Sequence, residues 1–234
     1  KMRPVNKHLE VKSAISPLSH LWNTLRNREY RVGFSAVALL SIGGFMLQPF
    51  GSAYLINNIG ITSHQLPTVF FSTGVAVLFI MPIVGRLSDR INKMLLFTIG
   101  SAISIVMILI YTNLSVTPLW EIIVLNMILF MGIMSRIVPS QAINTAIPNI
   151  SDRGAYMAIT SSMQQIAGGI GAAAAGWIVH QETKTSPLEH YNILGYVIAT
   201  VTVISIFLMR RVNKIAESKK RSATDIVHPI AEAM

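Results

Sequence analysis

The chain has 234 residues, of which 52% are hydrophobic and only 12% are charged, and its mean hydropathy is +0.54. A water-soluble domain carries about 25% charged residues, so this composition indicates that much of the surface faces lipid. The chain contains no cysteine, which excludes disulfides, thiolate metal sites and cysteine nucleophiles. A formal net charge of +9 is compatible with a nucleic acid, a membrane surface or an acidic partner, and the positions of the charges decide among these.

A polar, basic segment, residues 1–31, opens the chain. Apolar residues recur within it at helical spacing, followed by three arginines. This pattern predicts an amphipathic helix that lies along the inner membrane interface, and a loose linker whose tryptophan anchors at the headgroups is the alternative. The apolar positions are Ile15, Leu18, Leu21, Trp22 and Leu25.

Six apolar segments follow, and each is long enough to cross the ~30 Å hydrocarbon core of a bilayer as a helix of ~20 residues. They predict an all-α membrane protein whose six transmembrane helices occupy residues 32–211, followed by a cytoplasmic tail at 212–234. None of them resembles a cleavable signal peptide. The predicted spans are residues 33–56, 67–85, 94–112, 119–142, 155–180 and 191–209.

Positive side chains accumulate on one side of these spans. Of the 19 Lys and Arg residues, only Lys184 falls in the loops on the other side. Because cytoplasmic loops are enriched in Lys and Arg, both termini are expected in the cytoplasm. The charge is spread over every second loop instead of forming one basic face, which argues against a nucleic-acid partner and favours contact of the tail with anionic headgroups.

The first and fourth spans carry most of the amide and other polar groups. Such groups are costly in hydrocarbon unless they pair with neighbours or line water. Spans one and four are therefore expected to line a polar cavity, with Gln48, Tyr54 and Asn126 as candidate substrate contacts. Spans three and six are aliphatic nearly all round and are expected to face lipid. Gln164 and Gln165 of span five are interpreted as interhelical hydrogen-bonding residues rather than substrate contacts.

Span five is rich in small residues, which let helix backbones approach closely. The glycines expected in such contacts are Gly168, Gly169, Gly171 and Gly176. Span two has a weaker version of the same character. Spans one to three and four to six therefore share one order: a cavity helix, a packing helix and a lipid-facing helix. Because the first triplet starts inside and the second outside, this order predicts an inverted-topology repeat.

The sharpest signal lies between spans two and three. A glycine there permits a tight exit from a helix, an aspartate can accept backbone donors or pair with an arginine, and the cations hold the loop inside. An ordinary positive-inside loop with a turn-forming aspartate has the same composition. The residues are Gly85, Arg86, Asp89, Arg90 and Lys93.

This segment resembles the Gly-x-Leu-x-Asp-Arg-x-x-Lys/Arg loop signature of the major facilitator superfamily, although Asn92 and Met94 stand where the signature often has glycine and a second basic residue. Further segments are similar to the C-terminal half of the family's bacterial efflux permeases, which include drug:proton antiporters and arabinose efflux permeases. These segments are residues 43–50, 65–67, 136–139, 153–154 and 164–169.

The family's transporters have two six-helix halves. The resemblance therefore implies that this chain is a C-terminal half and that an N-terminal six-helix half is its partner. It also implies that residues 1–31 are the cytoplasmic connector between the halves, and that the start at Lys1 belongs to a fragment. The implied function is export of small molecules across a bacterial inner membrane by alternating access, with proton coupling left open. The segment between spans two and three, from Gly85 to Lys93, would be a gating loop. Through Asp89 it would latch the cytoplasmic side shut against the other half.

Several roles are open for Arg136, which is expected near the inner end of span four. It could snorkel to headgroups, or pair with Asp89 or with Asp152, which stands next to Arg153. It could also correspond to the buried arginine that the family has in the fourth helix of its first half, with a gating or proton-relay role. None of the 10 acidic residues lies deep within a span, so a proton-carrying acid is expected in the other half.

Enzyme motifs are missing from the sequence. It contains no His-Glu-x-x-His, no Gly-x-Ser-x-Gly and no phosphate-binding loop, and its six histidines have no ligand spacing. We therefore predict no catalytic residue, metal or cofactor. The alternatives to an exporter are a sugar or metabolite carrier of the same fold, and a six-helix channel or scaffold that works without a second half.

Overall fold

The computed structural model of the chain describes residues 17–232, and this part contains eight α-helices and no strand. A single 3-10 turn, Ile150–Asp152, precedes the seventh α-helix. The beginning of the predicted connector, including Ile15, lies outside the described residues. The helices are α1 (Pro17–Arg26), α2 (Arg28–Leu47), α3 (Gly51–Asn57), α4 (Leu66–Arg90), α5 (Lys93–Tyr111), α6 (Leu119–Asn144), α7 (Arg153–Ile178) and α8 (Tyr191–Glu232).

Five helical stretches of the described chain are long and apolar enough to cross a membrane. The helix α7 is as long as α6, at 26 residues, but Gln164, Gln165 and its many small residues lower its hydropathy, and it is not among the five. The five stretches are Arg28–Asn57, Leu66–Arg90, Lys93–Tyr111, Leu119–Asn144 and Tyr191–Arg221.

The first predicted span is broken in two. The helix α2 ends at Leu47, a turn follows, and α3 begins at Gly51. Pro49 accounts for the break, because proline has no N–H to continue the hydrogen-bond ladder and its ring clashes with the carbonyl four residues earlier. The new helix starts where the N–H of Tyr54 donates to the Phe50 carbonyl at 2.8 Å. The break leaves Gln48 outside regular helix.

Two helix pairs approach most closely at glycines. An added Cβ at Gly100 of α5 would lie 2.7 Å from the carbonyl carbon of Ser135 in α6. An added Cβ at Gly171 of α7 would lie 2.6 Å from the carbonyl oxygen of Ile42 in α2. Real Cβ atoms do not come so close to backbone atoms, so only glycine fits at these two crossings. Small residues thus set the distance between the packed helices.

The expectation that spans three and six simply face lipid is wrong for one side of α5. This helix has an exposed stripe that includes Leu95 and Val106, but it also buries Ser101 and Ser104 completely. Ser104 lies beside Gly132 of α6. The helix therefore presents aliphatic side chains on one side and small residues for close packing on the other. The helix α8 likewise packs against α2 and α5 and exposes Ile204 and Phe207.

The boundary expected at residue 211 is not a structural boundary. The helix α8 continues without interruption from Tyr191 to Glu232. Val212 and Ala216 are buried in a cluster with Tyr30 of α2 and Tyr156 of α7. The hydropathy falls at the arginines that precede Val212, but apolar positions recur at helical spacing beyond them and continue to pack. The predicted tail thus begins as part of the bundle.

The predicted connector contains a helix in its described part. The helix α1 leaves Leu18 and Trp22 mostly exposed, at 79% and 60% of their surface, while Thr24 is buried and its hydroxyl donates to the His20 carbonyl at 2.9 Å. An apolar face that meets little of the described chain suits a position along the membrane interface, which stays a prediction.

Candidate functional site

A cavity of about 570 Å³ lies between the first and fourth predicted spans. Its walls come mainly from α2, the start of α3, and α6, which are the helices whose polar residues suggested a cavity. Most of the lining is apolar or aromatic, and amide, hydroxyl and guanidinium groups interrupt it. No group of three or more His, Asp or Glu that could hold a metal occurs in the part of the chain that the structure describes. Residues of the other helices complete the lining: Phe70 of α4, Ile108 and Tyr111 of α5, Gln164 of α7 and Ile198 of α8.

Two of the three predicted cavity residues line this space. Gln48 does so from the turn between α2 and α3, where its side chain is exposed. Asn126 does so from α6, where it is 7% exposed and its amide donates to the Ile122 carbonyl at 3.3 Å. Both amides keep hydrogen-bonding capacity for a ligand. That they contact a substrate stays a prediction.

Tyr54 does not line the cavity. It is 2% exposed, its ring stacks on Tyr191 with the centroids 3.9 Å apart, and its hydroxyl donates to the Leu114 carbonyl at 3.1 Å. Tyr54 therefore belongs to the packed end of the bundle.

Arg136 is buried in the bundle and lines the cavity. It is 6% exposed, which excludes snorkelling to the surface, and its Nη1 donates to Thr202 Oγ1 of α8 at 3.3 Å. It forms no ion pair with an acid of the described chain, so the predicted pairs with Asp89 and Asp152 are wrong. Counting residues along span four could not say which side of the helix Arg136 occupies.

Asp152 and Arg153 have separate surroundings at the end of the bundle. Tyr30 of α2 donates its hydroxyl to Asp152 Oδ2 at 2.8 Å and accepts the N–H of Asn149 at 3.1 Å. The imidazole of His20 in α1 lies 3.8 Å from Asp152 Oδ1. Arg153 is exposed. Asp152 thus joins α1, α2 and the loop before α7, and it is a structural residue without contact to Arg136.

The expected gating loop is largely helical. Gly85, Arg86, Asp89 and Arg90 form the last two turns of α4, and only Ile91 and Asn92 separate α4 from α5. The charged side chains lower the hydropathy of this segment. The predicted span therefore ended at residue 85, whereas the helix continues to Arg90.

Contacts within this segment are few. Lys93 begins α5, and its Nζ donates to the Ser88 carbonyl at 3.1 Å. The carboxylate of Asp89 is exposed and has no hydrogen bond or ion pair within the described residues. An added Cβ at Gly85 would meet no described atom within 4 Å. The close neighbour expected at this glycine is therefore absent among the described residues.

The four glycines predicted for packing in α7 divide into three kinds. Gly171 and Gly168 pack on α2, where an added Cβ at Gly168 would lie 3.0 Å from the Phe45 ring. Gly176 would only touch the Phe50 ring, at 4.0 Å, and a Cβ at Gly169 would meet no described atom within 4 Å. The small residues of α7 thus lie on two opposite faces of the helix, and only one of these faces packs against described residues.

Sequence reasoning missed several lining residues. Tyr111 lines the cavity from α5, which its apolar sequence assigned to lipid, and Gln164 lines it although a packing role was expected. Gln165, its neighbour, is exposed. Ser140 and Gln141 line the cavity one turn beyond Arg136, and polar residues three to five positions apart on a helix could have signalled them.

The family model of the Major Facilitator Superfamily matches residues 33–234 of this chain, which is most of its length. The chain belongs to this superfamily. The match agrees with the resemblance seen in the motif around Asp89 and with the all-helical fold. This superfamily chain is accordingly an integral membrane protein of the transporter class.

Individual relatives are longer than this chain. It is 25% identical over 179 residues to the lincomycin resistance protein LmrB of Listeria monocytogenes and to the LmrB of Listeria innocua, covering 68% of this chain and 38% of each relative. Its fold is similar to a solved structure of the fucose:proton symporter FucP of Escherichia coli, with a TM-score of 0.56, 18% identity, and coverage of 86% of this chain and 45% of that chain. The chain therefore spans less than half the length of these proteins.

Proposed function

We propose that this chain is the C-terminal half of a secondary carrier that exports small molecules by alternating access, and that an N-terminal six-helix half completes it. The cavity beside Gln48 and Asn126 is the observation that carries the proposal. Transporters of this superfamily bind their substrates near the membrane midplane, at the interface between two repeats. The cavity lies between the first and fourth spans, and the chain covers less than half of each relative, as one of two halves would.

The helices at the rim of the cavity support a missing partner. Only 17% of the most apolar stretch of α4 is buried, against 39% or more in the other four apolar stretches. Phe70 of α4 and Gln164 of α7 both line the cavity. Gly74 and Gly85 of α4, and Gly154 and Gly169 of α7, would meet no described atom within 4 Å if they carried a Cβ. We infer that α4 and α7 carry the surface that meets the other half.

The pattern of helix contacts supports six spans arranged as two inverted repeats. The first span, α2 with α3, packs on α7 and α8, which are spans five and six. The fourth span, α6, packs on α4 and α5, which are spans two and three. Spans three and six, α5 and α8, pack on each other. Exchanging the two triplets reproduces this set of contacts, as a pseudo-two-fold axis in the membrane plane requires.

The expected orientation has both termini in the cytoplasm of a bacterium and the spans in its inner membrane. The Lys and Arg distribution supports it, since Lys184 alone lies in the loops of the opposite side. The ends of α4 and α7 that carry Asp89 and Asp152 would then face the cytoplasm. The exposed carboxylate of Asp89, without a partner in the described residues, would latch this side against the N-terminal half in the outward-facing state.

Export is favoured over sugar uptake by the sequence relatives, which are named for lincomycin resistance. The fucose:proton symporter is similar in fold alone. No carboxylate lines the cavity within the described residues. If protons drive the transport, the acid that carries them is therefore expected in the N-terminal half.

Reconstitution tests the proposal. Three liposome preparations are compared: this chain alone, the N-terminal half alone, and the complete protein with both halves. The flux of labelled lincomycin, fucose and an aromatic carboxylate is followed across a concentration series. We expect saturable flux of at least one compound from the complete protein only. Fast, non-saturable flux through this chain alone would favour a channel and overturn the carrier proposal.

A further inference from the structure

We propose that the cavity binds an amphipathic organic anion, whose anionic group is held by Arg136. The inference rests on the proposed carrier function and deepens it by naming the class of substrate. It concerns a residue outside the gating segment, whose hydrogen bond to Thr202 of α8 uses only one of its donors. Four properties of the cavity lead to it: its charge, the free hydrogen-bonding capacity of its cation, the cost of burying that cation, and its apolar walls.

Arg136 is the only residue with a formal charge among the described residues that line the cavity. The other polar groups there are neutral amides and hydroxyls. Gln141 and Ser140 follow Arg136 along α6, and Gln164 lies across from them on α7. Amide N–H groups can donate hydrogen bonds to an anion, whereas the hydroxyl of Ser140 already donates to the Ile137 carbonyl at 2.7 Å. The polar part of the cavity therefore has a positive charge with neutral donors around it.

The guanidinium has unused donors. An arginine carries five N–H groups in a planar fork that matches a carboxylate or a phosphate. One of them, on Nη1, donates to Thr202 Oγ1 at 3.3 Å, which is a long bond to a neutral acceptor. No other hydrogen bond or ion pair of this side chain exists within the described chain. The fork is thus available to a ligand.

Burying an unpaired charge is unfavourable, because a desolvated ion loses far more in hydration than a single neutral hydrogen bond returns. Arg136 is 6% exposed, and no acid of the described chain neutralises it. A charge in this position needs a counter-charge that arrives from outside these residues. Its place on the cavity wall means that a bound solute can supply it.

The remaining walls define the rest of the ligand. Phe45 of α2, Phe70 of α4 and Phe130 of α6 line the cavity together with many aliphatic side chains. Such a lining buries apolar and aromatic surface, and a few polar groups fix the orientation of the ligand. A ligand that fits therefore has an apolar or aromatic body and one anionic group. A strongly hydrated sugar without charge would leave both the walls and Arg136 unsatisfied.

Binding to the complete protein in lipid nanodiscs tests the inference without relying on transport. The probes are one aromatic scaffold that carries in turn a carboxylate, a primary amide or an ammonium group. We expect the carboxylate to bind about 10- to 100-fold more tightly than the amide, as one charge-assisted bidentate pair allows, and the ammonium compound to bind most weakly. Arg136→Gln should remove the preference for the carboxylate and leave the affinity for the amide unchanged.

Two further variants complete the design. Arg136→Lys should retain part of the preference, because a lysine keeps the charge but loses the planar fork. Arg153→Gln, which removes an exposed cation outside the cavity, should change nothing. If Arg136→Gln does not fold, the comparison of the three probes on the unaltered protein still decides.

Equal binding of the carboxylate and the amide by the unaltered protein would overturn the inference. So would an equal loss of both probes in Arg136→Gln, which is the result expected if a carboxylate of the other half neutralises Arg136. The carrier function would stand in either case, since saturable flux in liposomes is measured separately. Conversely, a complete protein that binds the carboxylate through Arg136 but supports no saturable flux would refute the carrier function alone.

Discussion

Two sets of glycines in this molecule have opposite surroundings. The closed glycines, Gly100 and Gly171, lie against the backbone of a neighbouring helix, at distances that exclude any side chain. The open glycines, Gly85 and Gly169, have no described atom within 4 Å of an added Cβ. Gly169 and Gly171 are two positions apart on α7, and ~200° apart around its axis. The helix α7 therefore has one glycine, Gly171, that allows close packing within this chain. It has another, Gly169, on a surface that no described residue covers.

The comparison teaches that a small-residue stripe identifies a close approach but not the partner. A closed glycine is explained by its neighbour in the chain. An open glycine within a helix costs conformational entropy, and no contact in the described chain explains it. Contact with the proposed second half would explain why glycine stands at Gly85 and Gly169. The effects of substitutions should therefore differ between the two sets, in folding for one and in assembly or transport for the other.

The largest effect is expected at a closed glycine. Gly100→Leu would drive a side chain into the backbone of α6 at Ser135, and overpacking of this kind costs about 3 kcal/mol. The variant should unfold at a clearly lower temperature in detergent and elute as an aggregate in size-exclusion chromatography. Gly169→Leu is the matched control and should not lower the unfolding temperature of this chain. Equal destabilisation by the two variants would break the distinction between closed and open glycines.

A smaller loss of stability is expected where α1, α2 and the loop before α7 meet. Tyr30→Phe removes a hydroxyl that donates to Asp152 at 2.8 Å and accepts from the Asn149 N–H at 3.1 Å. Loss of a buried hydrogen bond to a charged group costs about 2 kcal/mol. Thermal unfolding in detergent measures the change, and Tyr196→Phe, whose ring is 51% exposed, serves as the control. Identical unfolding temperatures for the two variants would show that the contact of Tyr30 with Asp152 contributes nothing.

On the open side, Asp89→Asn should change transport instead of folding. The carboxylate is exposed and has no partner in the described part of the chain, so its removal should leave the unfolding temperature unaltered. Loss of one charge-assisted bond to the other half should lower the flux through the complete protein about 10-fold. Glu182→Gln, an exposed acid of the α7–α8 loop, is the control and should transport normally. Normal flux in Asp89→Asn would refute the latch.

The smallest effects are expected from alanine substitutions of an open and a closed glycine, and these effects should have opposite signs. Gly169→Ala should stabilise this chain by about 0.5–1 kcal/mol, because alanine favours the helix and the added methyl group meets open space. Gly171→Ala should destabilise the chain, because the same methyl group meets the Ile42 carbonyl. Both variants are measured by thermal unfolding in one detergent. A shift in the same direction for both would contradict the assignment of the two faces.

The sequence predicted the positions of the long helices well. The expected span at 119–142 corresponds to α6, Leu119–Asn144, and the expected span at 94–112 corresponds to α5, Lys93–Tyr111. Apolar length is a property of a single segment, so the sequence carries it directly. The break at Pro49 was missed, although a proline in a helix interior is a strong local signal. The helical course of α4 through Asp89 was missed because hydropathy falls where the charges begin.

The candidate site was predictable only in part, because a site depends on how helices are rotated against each other. Gln48 and Asn126 were found, since amides in an apolar span are costly unless they line a cavity. Tyr54 was misplaced, because it lies six positions after Gln48, and such positions occupy different faces even of an uninterrupted helix. Arg136 was recognised as unusual, but its isolation from Asp152 emerges only from the packing of α6 on α8.

Because α8 is one uninterrupted helix, a small rotation about its middle displaces its ends by a larger distance. At 42 residues the helix is ~63 Å long, about twice the thickness of the hydrocarbon core. Its far part is fastened to the rest of the bundle by Lys219, whose Nζ donates to the Ile147 carbonyl and pairs with Glu29, both at 2.9 Å. A tilt of about 10° around the middle of such a rod displaces its end by roughly 5 Å. A spectroscopic label attached beyond Arg221 would therefore report small rotations of the membrane core from outside the bilayer.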